Sequence, residues 1–242
     1  MPSFEELNVL YERDYFEPGD RDYSYESQTQ ETQSCFRKHA QQFLALTQLG
    51  ARILDVGCAT GEFLQELERV SLEGVGIERS IYACENARNK GMSIIHGDVG
   101  SSELDEMGFN GIHMSHVLEH LPDLHATMKR ISGLLIKPGI VYIEVPYQFD
   151  SSLDTTNRLL KRQKKQFSPF SIHHCYFFTP QSISLLLKKH GFEILNLCTY
   201  LRCKRAGRRP SLRKHLLSAF LYISDRLFNG GDIISVWARL PG

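Results

Sequence analysis

A buried strand, a glycine-bearing turn and a helix start follow one another directly at residues 52–63, in the sequence R-I-L-D-V-G-C-A-T-G-E-F. The apolar residues at 53, 54 and 56 predict the strand. Gly57 can adopt backbone angles that a side chain forbids, and Gly61 allows a ligand to approach the backbone closely. A turn of this kind typically binds a nucleotide at the open edge of a parallel sheet. The feature therefore predicts an α/β fold.

The spacing of the glycines indicates which kind of nucleotide fits. A dinucleotide-binding turn reads G-x-G-x-x-G and holds a pyrophosphate at the helix N-terminus. Here the third position of that pattern is Ala59 and the sixth is Glu62. The carboxylate of Glu62 would repel a pyrophosphate where the helix dipole should attract it. A dinucleotide is therefore disfavoured. The pattern that the residues from Asp55 to Gly61 do form is D-x-G-x-x-x-G.

Strands and helices alternate along most of the chain. Short apolar runs and strand-end polar residues predict seven strands, at 52–56, 74–78, 93–96, 109–117, 140–145, 192–200 and 232–240. Apolar stripes predict helices over 36–47, 63–67, 80–90, 124–135 and 180–189, with a further stripe at 212–227. Such alternation implies a parallel sheet that is covered by helices on both faces.

Composition limits the remaining possibilities. A chain of 242 residues that is 42% hydrophobic fits one large α/β domain. No apolar run approaches the roughly 18 residues of a membrane-spanning helix, and the acidic N-terminus lacks the features of a signal peptide, so a cytoplasmic location is expected. Six scattered cysteines without a C-x-x-C pair indicate reduced thiols, neither a disulfide framework nor a structural zinc site.

The formal net charge of zero conceals a segregation of charge. Residues 1–31 are acidic, whereas 158–165 and 202–214 are basic. A basic cluster can bind nucleic acid, and it can equally be a solvated surface segment. The basic segment and the apolar stripe after it, together residues 202–228, predict either a peripheral membrane contact or a helix that packs on the sheet or in a homodimer.

The pattern D-x-G-x-x-x-G resembles motif I of the class I S-adenosylmethionine (SAM) dependent methyltransferases. Further segments resemble that family in the same order, namely G-V-G-I-E at 74–78, Gly97-Asp98, I-H-M-S-H-V-L-E-H-L at 112–121, K-P-G at 137–139 and H-C-Y-F-F-T-P at 174–180. The segment 112–121 is similar to the subgroup that includes small-molecule and quinone O-methyltransferases. The resemblance, which covers roughly residues 50–200, implies a Rossmann-like, doubly wound, mostly parallel seven-stranded sheet with a C-terminal antiparallel strand.

The resemblance also implies an organisation of the chain as a single methyltransferase domain over residues 1–242. Residues 1–50 would supply a helix and a lid that carries Tyr11, Tyr15 and Tyr25, and residues 51–146 the SAM-binding core. Residues 147–178 would form an insertion on the substrate side. Residues 179–242 would complete the sheet, interrupted by a basic helical insertion at 202–230.

Site residues are carried over from the matching motifs. The cofactor contacts implied are Asp55, Gly57, Cys58, Ala59 and Gly61 in the turn, Glu78 and Arg79 after the second strand, Asp98 and Val99 after the third, and Ser115 and His116 after the fourth. Glu78 would accept the ribose hydroxyls, since an ionised carboxylate has two acceptor oxygens. Catalysis is assigned to His116, beside the methionine part of SAM, and to His174 as general base, because an unperturbed imidazole titrates near neutral pH.

Two histidine patterns suggest a metal instead. Residues 116–120 match H-x-x-E-H, the inverted zinc-protease signature. However, His116 ends a predicted strand and Pro122 follows closely, which leaves no room for the continuous helix that such ligation needs. His173, His174 and Cys175 are adjacent in sequence, so their side chains diverge, and no carboxylate accompanies them. We therefore expect no metal.

The resemblance implies transfer of a methyl group from SAM to a small-molecule acceptor, most simply a hydroxyl of a sugar, quinone or lipid-linked metabolite. One alternative is an inactive methyltransferase-like binding or regulatory module, although such modules are expected to lose a cofactor carboxylate or glycine. A second is a nucleic-acid methyltransferase, but the N-P-P-Y or D-P-P-Y motif of that class is replaced here by S-H-V-L. Nucleic acid is therefore not expected as a partner.

Overall fold

The structure is a computed structural model that describes residues 29–147, 174–200 and 231–242. Within these ranges the elements are α1 (Thr29–Leu46), β1 (Arg52–Val56), α2 (Glu62–Arg69), β2 (Glu73–Glu78), α3 (Ile81–Asn89), β3 (Ile94–His96), β4 (Phe109–Ser115), α4 (Leu124–Leu134), β5 (Leu135–Pro146), α5 (Pro180–Lys189), β6 (Glu193–Tyr200) and β7 (Ile233–Leu240). Two short 3-10 turns lie at Ser102–Leu104 and Leu118–His120. The predicted lid tyrosines, most of the insertion at 147–178 and the basic segment 202–230 lie outside the described residues.

All seven strands form one sheet in the order β3-β2-β1-β4-β5-β7-β6. The pairs β3–β2, β2–β1, β1–β4 and β4–β5 are parallel, whereas β7 runs antiparallel to both β5 and β6. The chain order reverses between β1 and β4, which is where open α/β sheets bind their ligands. The predicted doubly wound sheet with a C-terminal antiparallel strand is confirmed.

The sheet has a separate apolar core on each face. Alternate residues of β1 divide between them, with Ile53 packing under α1 and α2, and Leu54 packing on the side of α4 and α5. Both side chains are fully buried. This is the pattern of a strand in a parallel sheet that is covered on both sides.

Helix ends follow the expected local chemistry. The Ser80 hydroxyl accepts from the backbone N–H of Ala83 at the start of α3, and Thr179 caps α5 in a capping box with Ser182. Pro180 occupies the first turn of α5, where its missing N–H costs nothing. Among the described residues, no helix combines the length and the apolar composition needed to cross a membrane.

The structure differs from the predicted elements at the start of β5, which begins at Leu135 rather than at residue 140, and at the end of β4. The strand stops at Ser115 rather than continuing to residue 117, because His116 adopts a left-handed backbone with φ of 56°. An extended ladder cannot continue through that conformation. The chain therefore turns away at the carboxyl edge of the sheet and enters the 3-10 turn Leu118–His120.

Candidate active site

The turn after β1 depends on left-handed backbone conformations. Gly57, Ala59 and Gly61 have φ of 70°, 48° and 85°. A Cβ atom at Gly57 would lie 2.6 Å from Val117 Cγ2, so this glycine is required by space as well as by its angles. Ala59 pays roughly 1–2 kcal/mol for its conformation, which explains why a glycine is the easier residue there. The turn leaves its backbone open at the edge of the sheet.

Glu78, at the end of β2, is joined to this turn. Its Oε2 accepts the backbone N–H of Ala59 at 3.0 Å, and its Oε1 accepts the N–H groups of Arg79 and Ser80 at 2.8 and 2.9 Å. Burial raises the pKa of Glu78, and these three backbone donors oppose that rise. Oε2 retains one acceptor position for a ligand hydroxyl. The predicted ribose-binding residue is thus fixed beside the glycine turn.

Arg79 and Asp98 form an ion pair across the ends of β2 and β3. Arg79 Nη2 donates to Asp98 Oδ2 at 2.9 Å, and the backbone N–H of Gly100 donates to Asp98 Oδ1 at 2.8 Å. Val99 is buried, and its carbonyl accepts from Arg130 Nε at 3.0 Å. The predicted adenine-side residues therefore lie together, with the Asp98 carboxylate already held by a cation.

Asp55 and Cys58 are buried, and their polar atoms are used within the protein. Asp55 Oδ1 lies 2.7 Å from His113 Nδ1, on the neighbouring strand. Burial raises the pKa of Asp55, and the contact with His113 opposes this. Burial also raises the pKa of the Cys58 thiol well above its usual value, so Cys58 stays protonated. Their contribution to cofactor binding remains a prediction.

His116 lies between two carboxylates at the end of β4. Its Nε2 is 3.1 Å from Glu144 Oε1, which is an ion-pair contact rather than a well-aligned hydrogen bond, and its Nδ1 is 3.5 Å from Glu119 Oε1. Burial alone would lower the pKa of His116, but Glu119 and Glu144 outweigh it and raise the pKa to about 9. An imidazolium at neutral pH cannot accept a proton. If His116 takes part in catalysis, it therefore does so as a positively charged group and not as a base.

Glu144, near the end of β5, is a site residue that the sequence analysis missed. The hydroxyls of Tyr142 and Tyr200 donate to its Oε2 at 2.7 and 2.6 Å, and Ser115 Oγ donates to its Oε1 at 3.4 Å. Burial would raise the pKa of Glu144, but His116 and the two tyrosines reverse this and lower it. The sequence feature that could have identified Glu144 is its position as a lone carboxylate within the apolar strand I-V-Y-I-E-V.

His174 lies beside the 3-10 turn that follows β4. Its ring centroid is 4.8 Å from that of His120, in an edge-to-face arrangement. One ligand atom from each of Glu119, His120 and His174 lies within 4.8 Å of the other two. The expectation that no carboxylate accompanies His173, His174 and Cys175 was wrong for His174, because Glu119 reaches it from a segment 55 positions earlier in the chain.

The zinc-protease alternative fails on backbone geometry. Residues 118–120 form a single 3-10 turn, and His116 belongs to the strand end with its left-handed conformation. Ligation by two histidines one helical turn apart requires a continuous helix through both. The predicted absence of such a helix at residues 116–120 is confirmed.

Comparison with known proteins adds sequence relatives to this geometry. A family model described as a methyltransferase domain matches residues 25–197. The C-methyltransferase NovU of Streptomyces niveus is 24% identical over 155 residues, which is 62% of this chain and 34% of that protein. A ubiquinone biosynthesis O-methyltransferase of Alkalilimnicola ehrlichii is 33% identical over 97 residues, covering 37% of this chain and 39% of the relative. The matches thus span little more than a third of the length of these two relatives.

A solved structure supports the fold independently. The SAM-dependent methyltransferase of Archaeoglobus fulgidus superimposes with a TM-score of 0.61 at 16% identity. The superposition covers 89% of this chain and 100% of that one. At this identity the likeness concerns the fold, and the chemistry has to be argued from the site.

Proposed function

Because this chain belongs to the methyltransferase-domain family, whose model matches residues 25–197, we propose that it binds SAM at the carboxyl edge of its sheet and methylates a small molecule. The observation that carries the proposal is the direct link between the glycine turn and Glu78, through the Ala59 N–H at 3.0 Å. The link places an open backbone turn and a fixed carboxylate at adjacent strand ends. A nucleoside with an amino-acid tail, such as SAM, needs both, because the open turn can bind the tail and the carboxylate can bind the ribose.

The cofactor would lie along the ends of β1 to β4. Glu78 would accept a ribose hydroxyl, and Asp98 with Val99 would border the adenine. Ser115 and His116 would flank the methionine part. Methyl transfer from a sulfonium is an in-line displacement, so the main task of these residues is to hold the methyl group against the acceptor.

The acceptor would approach from the side of the turn Leu118–His120. We assign the proton-handling role to His174, because it lies beside this turn and because His116, with a pKa of about 9, is already protonated at neutral pH. An acceptor hydroxyl is the simplest substrate that needs such help. The curated relatives are named for one carbon and one oxygen acceptor, and of these we favour oxygen, from a sugar, quinone or lipid-linked metabolite.

The test is calorimetric titration of the purified protein with SAM and with S-adenosylhomocysteine. We expect dissociation constants on the order of micromolar and a loss of at least about tenfold in Glu78→Ala, since a charge-assisted hydrogen bond contributes roughly 1.5–3 kcal/mol. Glu73→Ala is the matched control, because Glu73 begins the same strand and is exposed. It should bind like the wild type.

Thermal unfolding of each variant separates lost binding from lost folding. Folded wild-type protein that binds neither compound would instead favour the cofactor-free binding module. Wild-type affinity in a folded Glu78→Ala variant would remove Glu78 from the site.

A further inference from the structure

Three potential metal ligands meet at the acceptor side of the sheet. Glu119 and His120 come from the 3-10 turn after β4, and His174 comes from the segment before α5. Their ligand atoms all lie within 4.8 Å of one another, and His120 Nε2 is 3.9 Å from Glu119 Oε1. The two histidine rings are partly exposed, whereas Glu119 is buried. One side of the cluster is therefore reachable from solvent.

Glu119 is the unusual member of this group. Its side chain is 1% exposed, and neither carboxylate oxygen has a hydrogen-bond partner among the described residues. The His116 ring lies between Glu119 and Glu144, with its Nδ1 3.5 Å from Glu119 Oε1 and its Nε2 3.1 Å from Glu144 Oε1. Two buried carboxylates thus face one imidazole ring. A buried carboxylate without hydrogen bonds is costly, so a cation at this point would be stabilised strongly.

Main-chain hydrogen bonds hold the two segments together. The backbone N–H groups of Cys175 and Tyr176 donate to the Glu119 carbonyl at 2.8 and 3.2 Å. Cys175 Sγ also contacts the His120 carbonyl at 3.6 Å. The approach of His174 to Glu119 and His120 is therefore fixed by the backbone, not by a chance meeting of surface side chains.

We propose that Glu119, His120 and His174 form a binding site for a divalent transition-metal ion, with zinc the best-matched ion. Two imidazole nitrogens and one carboxylate oxygen are ligands that zinc accepts, and three protein ligands leave a fourth position for water or substrate. In a tetrahedral zinc site the ligand atoms lie roughly 3.3 Å apart. An ion would therefore draw this group together by about 1 Å.

The fourth position would face the acceptor side, where an acceptor oxygen is the expected ligand. With the ion bound, His174 would be a ligand rather than a base, and the metal would take over its role by lowering the pKa of an acceptor oxygen bound to it. That part of the inference rests on the proposed function, whereas the binding of the ion does not. Metal binding can therefore succeed or fail independently of SAM binding.

The test uses tag-free, full-length protein that has been stripped with a chelator and dialysed. Titration with zinc, followed by calorimetry, should show one ion per chain, and cobalt(II) should produce the visible absorption of a tetrahedral site. Glu119→Gln, His120→Ala and His174→Ala should each weaken zinc binding at least ~10-fold. Thermal unfolding shows whether each variant is folded, and SAM titration with chelator present reports on the proposed function separately.

The control is His190→Ala, because His190 belongs to a separate close pair of histidines away from this site, with its Nε2 2.9 Å from His125 Nδ1. It should bind zinc like the wild type. Loss of zinc in His190→Ala alone would place the ion at the His125–His190 pair and overturn the proposal. So would folded wild-type protein that takes up no zinc, or undiminished affinity in all three ligand variants.

Discussion

At the scale of single residues, a row of polar and aromatic side chains crosses the sheet beneath α1. Asp55, His113, Tyr142 and Trp237 are register neighbours on β1, β4, β5 and β7. His39, from α1, closes this row from above, with its Nδ1 3.3 Å from His113 Nε2 and its ring 4.2 Å from that of Tyr142. Polar side chains thus lie where an apolar core would be expected, and the protonation of those that titrate is coupled to folding.

His39 should make the stability of the protein depend on pH. Burial, and then the neighbouring His113, lower the pKa of His39 from 6.5 to about 3. Between those values the unfolded chain binds a proton that the folded chain does not, so stability falls as the pH drops below 6.5. At pH 5 the loss should be up to about 2 kcal/mol. Urea unfolding at pH 7 and pH 5 measures it.

A His39→Gln variant should lose this component of the pH dependence, although it is less stable at pH 7. Phe36→Leu is the matched control, because Phe36 lies on the same helix with its ring 6.3 Å from that of His39 and does not titrate. It should lower stability by the same amount at both pH values. An unchanged pH dependence in His39→Gln would show that another group is responsible.

At the scale of elements, close packing between helices and strands depends on residues without side chains. Gly111 on β4 lies under α1, and a Cβ atom there would be 2.6 Å from Phe43 Cε1 and 2.9 Å from Ile53 Cδ1. Gly76 on β2 is similar, since its Cβ would lie 2.5 Å from Cys58 Sγ. Because Gly111 has no Cβ atom, α1 can pack close to the sheet at this point.

Gly111→Ala should lower the free energy of unfolding by about 1–3 kcal/mol through overpacking against Phe43. Gly133→Ala is the control, because Gly133 is an exposed residue of α4 with no atom within 4 Å of the added Cβ. That change should be neutral or stabilising by up to about 1 kcal/mol, since alanine favours helix. Denaturant unfolding compares them, and equal effects would contradict the packing argument.

At the scale of the whole molecule, the strand order predicts a gradient of local stability. Among the described strands, β1, β4 and β5 are paired on both sides, whereas β3 has three residues and pairs only with β2, and β6 pairs only with β7. Most residues of β6 are exposed or half-buried. Opening of an edge strand exposes less apolar surface than opening of a central one.

Hydrogen exchange followed by mass spectrometry should therefore be slowest in peptides from β1, β4 and β5, and faster in those from β3 and β6. Peptides from the two edges serve as internal references for the centre under identical conditions. Protection of β6 equal to that of β4 would indicate that the exposed edge of β6 is covered in solution.

Local sequence patterns predicted the seven strands, the glycine turn and the family resemblance, and these are confirmed. These features could be predicted from the sequence because a buried strand, a left-handed turn and a capped helix are each determined by a few neighbouring residues. The early end of β4 was not predicted, since nothing local to His116 required its positive φ.

Tertiary structure alone decided which side chains meet at the carboxyl edge. Glu144 gains His116 and Tyr200 as partners only because the sheet places β4 on one side of β5 and β7 with β6 on the other. Glu119 meets His174 only when the chain returns before α5. The charges of these groups follow from that meeting, because burial and neighbouring ions determine a pKa. The sequence by itself determined the scaffold and its cofactor-side turn, whereas the electrostatics of the acceptor side arose from contacts between segments far apart in the chain.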